Sequence, residues 1–268
     1  MPLSPDVIAT IAGDLFKAEQ TRTQIPIITE QHPHMDMDDA YAVQSQLVEL
    51  KQKSGNAIKG WKIGLTSKAM QAALNIDIPD SGILFEDMFF DNGATIPGDR
   101  FIQTRIEAEI AFIMGSDLAG GAVTREDVLA ATDTITPALE ILDTRIVRAN
   151  PDTGAIRKIY DTIADNAANA GIVLGNKKCR IDEVDMRWVG AIVKRNDEVE
   201  ETGLGAGVLN DPATAIEWLV HRLSQYGMGL KAGDVVLSGS FVRPVEARSG
   251  DSMHADFGDF GSVSCVFA

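Results

Sequence analysis

From Ile58 to the last residue the chain breaks into short apolar runs separated by glycine-rich turns, and this rhythm limits the fold more than any other feature. IKGWKIG, ILFEDMFF, RIEAEIAFIM, PALEIL, AGIVLG, WVGAIVKRNDEVEETG, DVVLSGS and GSVSCVFA all read as strand candidates. Asp91-Asn92-Gly93 closes one of them with an Asn-Gly turn signal. Two helical stretches interrupt the strands. One follows Thr124 in TREDVLAAT; the other runs from Asp211-Pro212 to Gly227, with Ile216, Leu219, Val220 and Leu223 on one face. There is no βαβ rhythm, internal repeat or low-complexity segment.

The first third reads as helical. Ser4-Pro5 is an N-cap with a first-turn proline, and Ile8, Ile11, Ala12 and Leu15 follow at helical spacing. TQIPIITEQHPHM is expected to be a connecting loop with extended pieces, and a second helix is expected from Asp36 to about Gly55. The expected fold class is therefore α+β. A helical N-terminal region takes residues 1–79, and a mixed β-sheet domain takes 80–268.

A formal charge of −15 argues against a nucleic-acid surface, which needs clustered Lys and Arg. No basic amphipathic stretch suggests a membrane surface, and no apolar run approaches the roughly 20 residues of a spanning helix. MPLSPDVIATIAGDLF has no basic region before an apolar one, so a cytoplasmic protein is expected. Cys179 and Cys265 are too few for a disulfide framework and read as reduced thiols, at least one of them in the core.

RIEAEIAFIM poses the chemical question. Side chains alternate along a strand, so Glu107 and Glu109 share a face with Ala111 and Ile113. Same-face neighbours stand about 6.5–7 Å apart. Two carboxylates at that spacing repel, and burial worsens the repulsion. In TPALEILD, Glu140 shares a face with Ala138 and Leu142. Three carboxylates without His or Cys suit a hard, oxygen-liganded ion such as Mg²⁺, with Mn²⁺ able to substitute. The competing reading leaves Glu107 and Glu109 at a solvated strand mouth and pairs Glu140 with Arg105 or Arg145. Spacing alone does not bring Glu140 to the other two.

Other motifs carry less. His32 and His34 read as loop histidines, and His221 and His254 as polar-face and hairpin residues. GLGAG at Gly203–Gly207 lacks the strand–turn–helix context of a dinucleotide site. DFG at Asp256–Gly258 lacks the other kinase motifs and reads as a turn.

KGWKIGLTSKAMQ, PDSGILFEDM, RIEAEIAF, PALEILDTR, DTIADNAANAG, EETGLGAGVLNDPA and GSFVRPV, taken together and in this order, resemble the hydratase/decarboxylase group of the fumarylacetoacetate-hydrolase-like enzymes. The resemblance covers nearly the whole chain. It implies the mixed β-sheet/β-roll domain of that family and an E-x-E pair plus a later Glu as metal ligands. These match Glu107, Glu109 and Glu140. It also implies an active-site Lys and Asp, which match Lys62 and Asp80.

The implied activity is that of a metal-dependent hydro-lyase acting on 2-oxohept-4-ene-1,7-dioate in homoprotocatechuate (4-hydroxyphenylacetate) breakdown. Hydration of a five-carbon 2-hydroxydienoate and decarboxylation of 4-oxalocrotonate are the alternatives. A non-catalytic scaffold subunit is the reading from another class. The substrate would present its C1 carboxylate and C2 oxygen to Mg²⁺ as a chelating pair. Water would add at C4, with Lys62 and Asp80 as acid–base candidates.

Asp161, Asp165 and Asn166 in DTIADNAANAG are weaker substrate-binding candidates, against the alternative of caps and Asx-turns. Ser240 in the glycine-rich GSFVRPV is another, against an ordinary turn serine. The distal carboxylate of a dioate needs a cation, for which Arg105, Arg145, Arg157, Lys158 and Arg243 are open choices. The resemblance further implies a homo-oligomer, in the form of a decamer-like ring of dimers.

Overall fold

The computed structural model describes residues 2–73, 76 and 78–268. The chain is α+β, as expected. The N-terminal part is helical: α1 (Pro5–Thr21), α2 (Ile28–Gln31) and α3 (Met37–Lys53). Ser4 caps α1 by accepting from the Val7 N–H. Asp36 and Asp39 close a reciprocal capping box on α3. α2 lies where a loop was expected. Its four residues leave no room for an amphipathic repeat, and it is held by burial of Ile28 and Thr29 rather than by local propensity.

Strands follow. β1 (Ile58–Gly64) is separated from β2 (Asp80–Phe85) by a short helix, α4 (Lys68–Ala73). Then come β3 (Phe89–Phe90), β4 (Ala94–Ile96), β5 (Arg105–Met114), α5 (Arg125–Ala131), β6 (Thr132–Leu142), α6 (Ile159–Ala164) and β7 (Asn169–Leu174). The remainder is β8 (Gly190–Arg195), β9 (Glu198–Leu204), α7 (Pro212–Ser224), β10 (Val235–Leu237), β11 (Val245–Glu246), β12 (Ser252–Asp256) and β13 (Ser262–Phe267). WVGAIVKRNDEVEETG folds as the β8–β9 hairpin, turning at Asn196 and Asp197, both at positive φ. Asp211 caps α7, which ends three residues before Gly227.

An eight-stranded sheet runs β2-β1-β10-β5-β6-β7-β3, with β11 paired to β5. A five-stranded sheet runs β4-β13-β12-β8-β9. A division at residues 79 and 80 passes between β1 and β2, which pair along their length. The even-numbered residues of β5, Ile106, Ala108, Ile110 and Phe112, enter the main core with Val193, Ile216, Leu219 and Val263. The opposite face carries a smaller apolar cluster of Leu84, Ala111, Ala138, Ile172 and Leu237.

The N-terminal helices pack around Leu15, Val43, Leu47, Ile146 and Ile163. Gln44 ties them to the sheet by donating to Ser81 O and Ile163 O, both at 2.9 Å. Both cysteines are free and buried. No helix of the described residues is long and apolar enough to cross a membrane.

Candidate active site

The register of the large sheet gathers the sequence candidates on one face. Glu107 lies directly opposite Glu140 in the β5–β6 pair, and Glu109 opposite Ala138. Opposed residues point the same way, so all three carboxylates share a face. β10 lies between β1 and β5, with Leu237 paired to both Lys62 and Ala111. That row sets Lys62 on the carboxylate face. Asp80 is opposite Gly64, two residues from Lys62, and joins the same face. Gly64 is required there: a Cβ would stand 2.2 Å from Asp80 Oδ1 and 3.1 Å from Lys62 Nζ.

One oxygen from each of Glu107, Glu109 and Glu140 falls within 4.8 Å of the others. Glu109 and Glu140 are fully buried, Lys62 and Asp80 nearly so, and Glu107 is half-buried. Lys62 Nζ lies 3.4 Å from Glu140 Oε1, an ion-pair approach longer than a good hydrogen bond. Glu109 Oε2 accepts from the Gly239 N–H at 2.8 Å. Glu109 Oε1, both oxygens of Glu140, Asp80 Oδ1, Thr66 Oγ1 and Ser238 Oγ are buried with no hydrogen-bond partner among the described residues. Orphaned buried acceptors of this kind are rare and costly.

The electrostatics agree. Burial, then Glu140, pushes the Glu107 carboxyl up to about 8. Burial, then Glu140 and Glu107, raises Glu109 well above the usual carboxylate range. Burial raises Glu140 and Asp80 too, with Lys62 opposing in both cases. Burial works against the Lys62 ammonium, but Glu140, Asp80, Glu107 and Glu109 outweigh it and hold the group protonated. The donor set is oxygen only, charge-rich and unsatisfied, and it fits a hard divalent cation.

Lys62, Asp80 and Glu107 line a cavity of about 450 Å³ together with Leu65, Thr66 and Ser240. A larger surface cleft, about 850 Å³, lies by Trp188 and Asp256 and is lined by none of Glu107, Glu109 and Glu140. The wall around the cavity is held in uncommon backbone conformations. Leu65 has φ 57°, and Asn166, Ala167 and Ala168 have φ 51°, 52° and 59°. Such non-glycine residues cost of order 1–3 kcal/mol each and persist only where surroundings impose them. Asn166 supplies part of that imposition, accepting from Ile83 N at 2.8 Å and donating to Ile83 O at 2.9 Å.

The weaker candidates fall elsewhere or are already engaged. Asp161 binds Thr29 N, Thr29 Oγ1 and Lys158 N, fastening α2 to α6. Asp165 is closed on Arg145, and neither Asp161, Asp165 nor Asn166 is among the cavity-lining residues. Ser240 lines the cavity, with its hydroxyl donating to Val242 O at 2.8 Å. Among the discounted motifs, His221 Nε2 lies 2.6 Å from Val123 O, and DFG leads into a tight turn at Gly258–Phe260. Sequence reasoning misses several lining residues, Thr66 and Arg148 among them. Thr66 belongs to the quoted KIGLTS run, and Arg148 stands at one base of the NPDTG turn, a recognisable turn signal.

The chain is similar to known proteins over nearly its whole length. The chain is 51% identical over 257 residues to 2-oxo-hept-4-ene-1,7-dioate hydratase of Escherichia coli, covering 96% of each. It is 37% identical to 2-keto-4-pentenoate hydratase of Paraburkholderia xenovorans (strain LB400), over 99% of this chain and 96% of that one. The solved structure of 4-oxalocrotonate decarboxylase from Pseudomonas putida G7, complexed with magnesium and adipate, superposes with a TM-score of 0.93 at 30% identity, covering 99% of each chain. Residues 58–268 match the family described as fumarylacetoacetate (FAA) hydrolase C-terminal. The chain therefore belongs to the fumarylacetoacetate hydrolase family, as an enzyme of the lyase type.

Proposed function

We propose that the protein is a Mg²⁺-dependent hydratase that converts 2-oxohept-4-ene-1,7-dioate, through its 2-hydroxy-2,4-dienoate form, to 4-hydroxy-2-oxoheptanedioate. The observation that carries the reading is the set of buried, unsatisfied carboxylates meeting Lys62 and Asp80 beside one cavity. The likeness to the Escherichia coli hydratase supports hydration of the seven-carbon dioate over the alternatives. The magnesium and dicarboxylate of the solved relative support both the ion and the substrate class.

Glu107, Glu109 and Glu140 hold the cation, with Glu109 fixed by the Gly239 N–H. The cation, when bound, supplies Lewis-acid stabilisation of negative charge on the substrate's C2 oxygen. Lys62 enters protonated and serves the proton transfers. A proton delivered at C5, with release of the 2-hydroxyl proton, moves the unsaturation to C3–C4, in conjugation with the C2 carbonyl. Water then adds at C4, and C3 takes up a proton. Asp80 orients Lys62 and the water. Its Oδ1 has no hydrogen-bond partner among the described residues and can accept from either. The apolar cluster of Leu84, Ala111, Ala138 and Leu237 on the same face of the sheet limits competing solvent.

The same reading makes the working form a cytoplasmic homo-oligomer, a ring of dimers acting in homoprotocatechuate breakdown. Exposed Trp188, Ile192, Val199 and Leu204 around the β8–β9 hairpin support association. The test is incubation of 2-hydroxyhepta-2,4-dienedioate with protein and MgCl₂, following dienol absorbance and product mass. A gain of one water supports the reading. Loss of CO₂, or no change with correctly folded protein, overturns it.

A further inference from the structure

Four arginines line the cavity beyond the carboxylates: Arg105, Arg148, Arg157 and Arg243. Two of them are already paired. Arg105 meets Glu246 at 3.2 Å and Arg243 meets Glu201 at 2.6 Å. Arg145, close by in sequence, is consumed by Asp165, to which it donates from its backbone N–H, Nε and Nη2.

Arg148 and Arg157 make no salt bridge among the described residues. Arg148 Nε donates to Gln103 Oε1 at 3.1 Å, and Arg157 Nη1 donates to Thr144 Oγ1. The carboxylates whose field reaches Arg157 are Asp165 and Asp161, and both are engaged elsewhere.

Backbone pairing sets these two arginines side by side. Ala149 bridges Ile156 in antiparallel fashion, and the Arg157 N–H donates to Arg148 O at 3.1 Å. Residues opposed in this way send their side chains to one face, where like charges destabilise the pairing. The hairpin is nevertheless held firmly. Asn150 and Thr153 at its tip donate to Glu30 at 2.8 and 2.7 Å, and Ile146 at its base bridges Ile25. Burial, then the charges of Arg157 and Arg105, pushes Arg148 down to about 10. Burial lowers Arg157 as well. The carboxylates whose field reaches Arg148 are Glu246, which pairs with Arg105, and Asp143, which accepts from the Ile102 and Gln103 N–H groups. Two repelling guanidinium groups, fixed on a cavity wall with no salt bridge among the described residues, form a receptor for an anion, and their planar forks match a carboxylate.

We propose that Arg148 and Arg157 jointly bind the distal carboxylate of a dicarboxylic 2-oxo acid whose reacting end lies at Glu107, Glu109 and Glu140, and so select dioates over monoacids. The proposal rests on the hydratase reading for the identity of the reacting end.

The test uses two saturated ligands that cannot be hydrated, 2-oxoheptanedioate and 2-oxopentanoate, titrated calorimetrically into the full chain with MgCl₂ present. The wild type is expected to favour the dioate about 10–100-fold, the worth of one or two charge-assisted hydrogen bonds. Arg148→Met and Arg157→Met each bring that ratio towards one, and Arg148→Lys keeps part of it. The ratio is read only on variants whose Mg²⁺-induced thermal shift matches the wild type, and Arg148→Lys serves if a Met variant does not fold. A wild-type ratio near one, a preference that survives both substitutions, or binding of neither ligand overturns the proposal. Hydration of the dienedioate is followed separately. Preferential binding of the dioate without turnover would remove the hydratase reading and leave the arginine pair standing.

Discussion

Glu109→Gln should move stability in opposite directions with and without magnesium. Two of the carboxylates within 4.8 Å of each other repel by about 3–4 kcal/mol at an effective dielectric of ~20. Lys62, 3.4 Å from Glu140, offsets part of this, and proton uptake offsets more. Roughly 1–3 kcal/mol then remains to be relieved by neutralising Glu109. Gln is close to isosteric. Its carbonyl can keep the Gly239 N–H, and its new N–H₂ faces acceptors on Glu140 that lack partners. In EDTA at pH 8 the variant should therefore melt roughly 3–8 °C above the wild type. With MgCl₂ near a hundredfold excess over Kd the wild type gains about 2.7 kcal/mol from binding, and the variant should lose most of that gain. Differential scanning fluorimetry under the two conditions reads both effects. A variant that melts lower in EDTA, or that keeps the full magnesium shift, would refute the electrostatic account of the cluster.

The other expectations are more compact. The Glu107 carboxyl, at about 8 in the protein against an ordinary 4.5, holds a proton that metal must displace. Its contribution to stability is complete below pH 4.5 and is lost as pH rises through about 8. Magnesium affinity by calorimetry should rise over that window with proton release, and a flat profile would count against it. Gly64→Ala drives a methyl group onto Asp80 Oδ1, the end of a side chain that can swing away. Turnover should fall on the order of a hundredfold or more with little change in melting temperature, since displacement of a catalytic group by about 1 Å has that scale. Arg145→Leu strands the buried carboxylate of Asp165 and should cost about 3–5 kcal/mol in denaturant titrations, while the double variant Arg145→Leu/Asp165→Leu should recover part of the loss.

Much of the frame was legible because its signals are local. Period-two alternation and the two glutamates marked Arg105–Met114 as a strand with one costly face, and it is β5 from end to end. Ser4-Pro5, Asp36 with Asp39, Thr124 and Asp211-Pro212 announced four helix starts through capping chemistry. What stayed hidden depends on register or on tertiary enforcement. Lys62 is one of two lysines in an otherwise apolar strand, and the β1–β10 and β10–β5 pairings set it on the carboxylate face. Family likeness, not spacing, pointed to it beforehand. Leu65 and the Asn166–Ala168 run adopt positive φ without a glycine to signal it. Arg148 went unselected because an arginine beside a turn is ordinarily a solvated residue, and its want of a counter-ion is visible only once the neighbouring carboxylates are known to be taken.

The position of β10 has a consequence for how the enzyme is made. β5 and β6 are neighbours in sequence and can pair as soon as both have left the ribosome, so the acidic trio can form early. Lys62 emerges sooner still, but the backbone ladder between its strand and β5 runs through β10, which is synthesised near the end. A nascent or truncated chain ending before Val235 can carry the acidic trio while the sheet between β1 and β5 is still open. Arrival of the late strand closes the ladder between Lys62 and the trio.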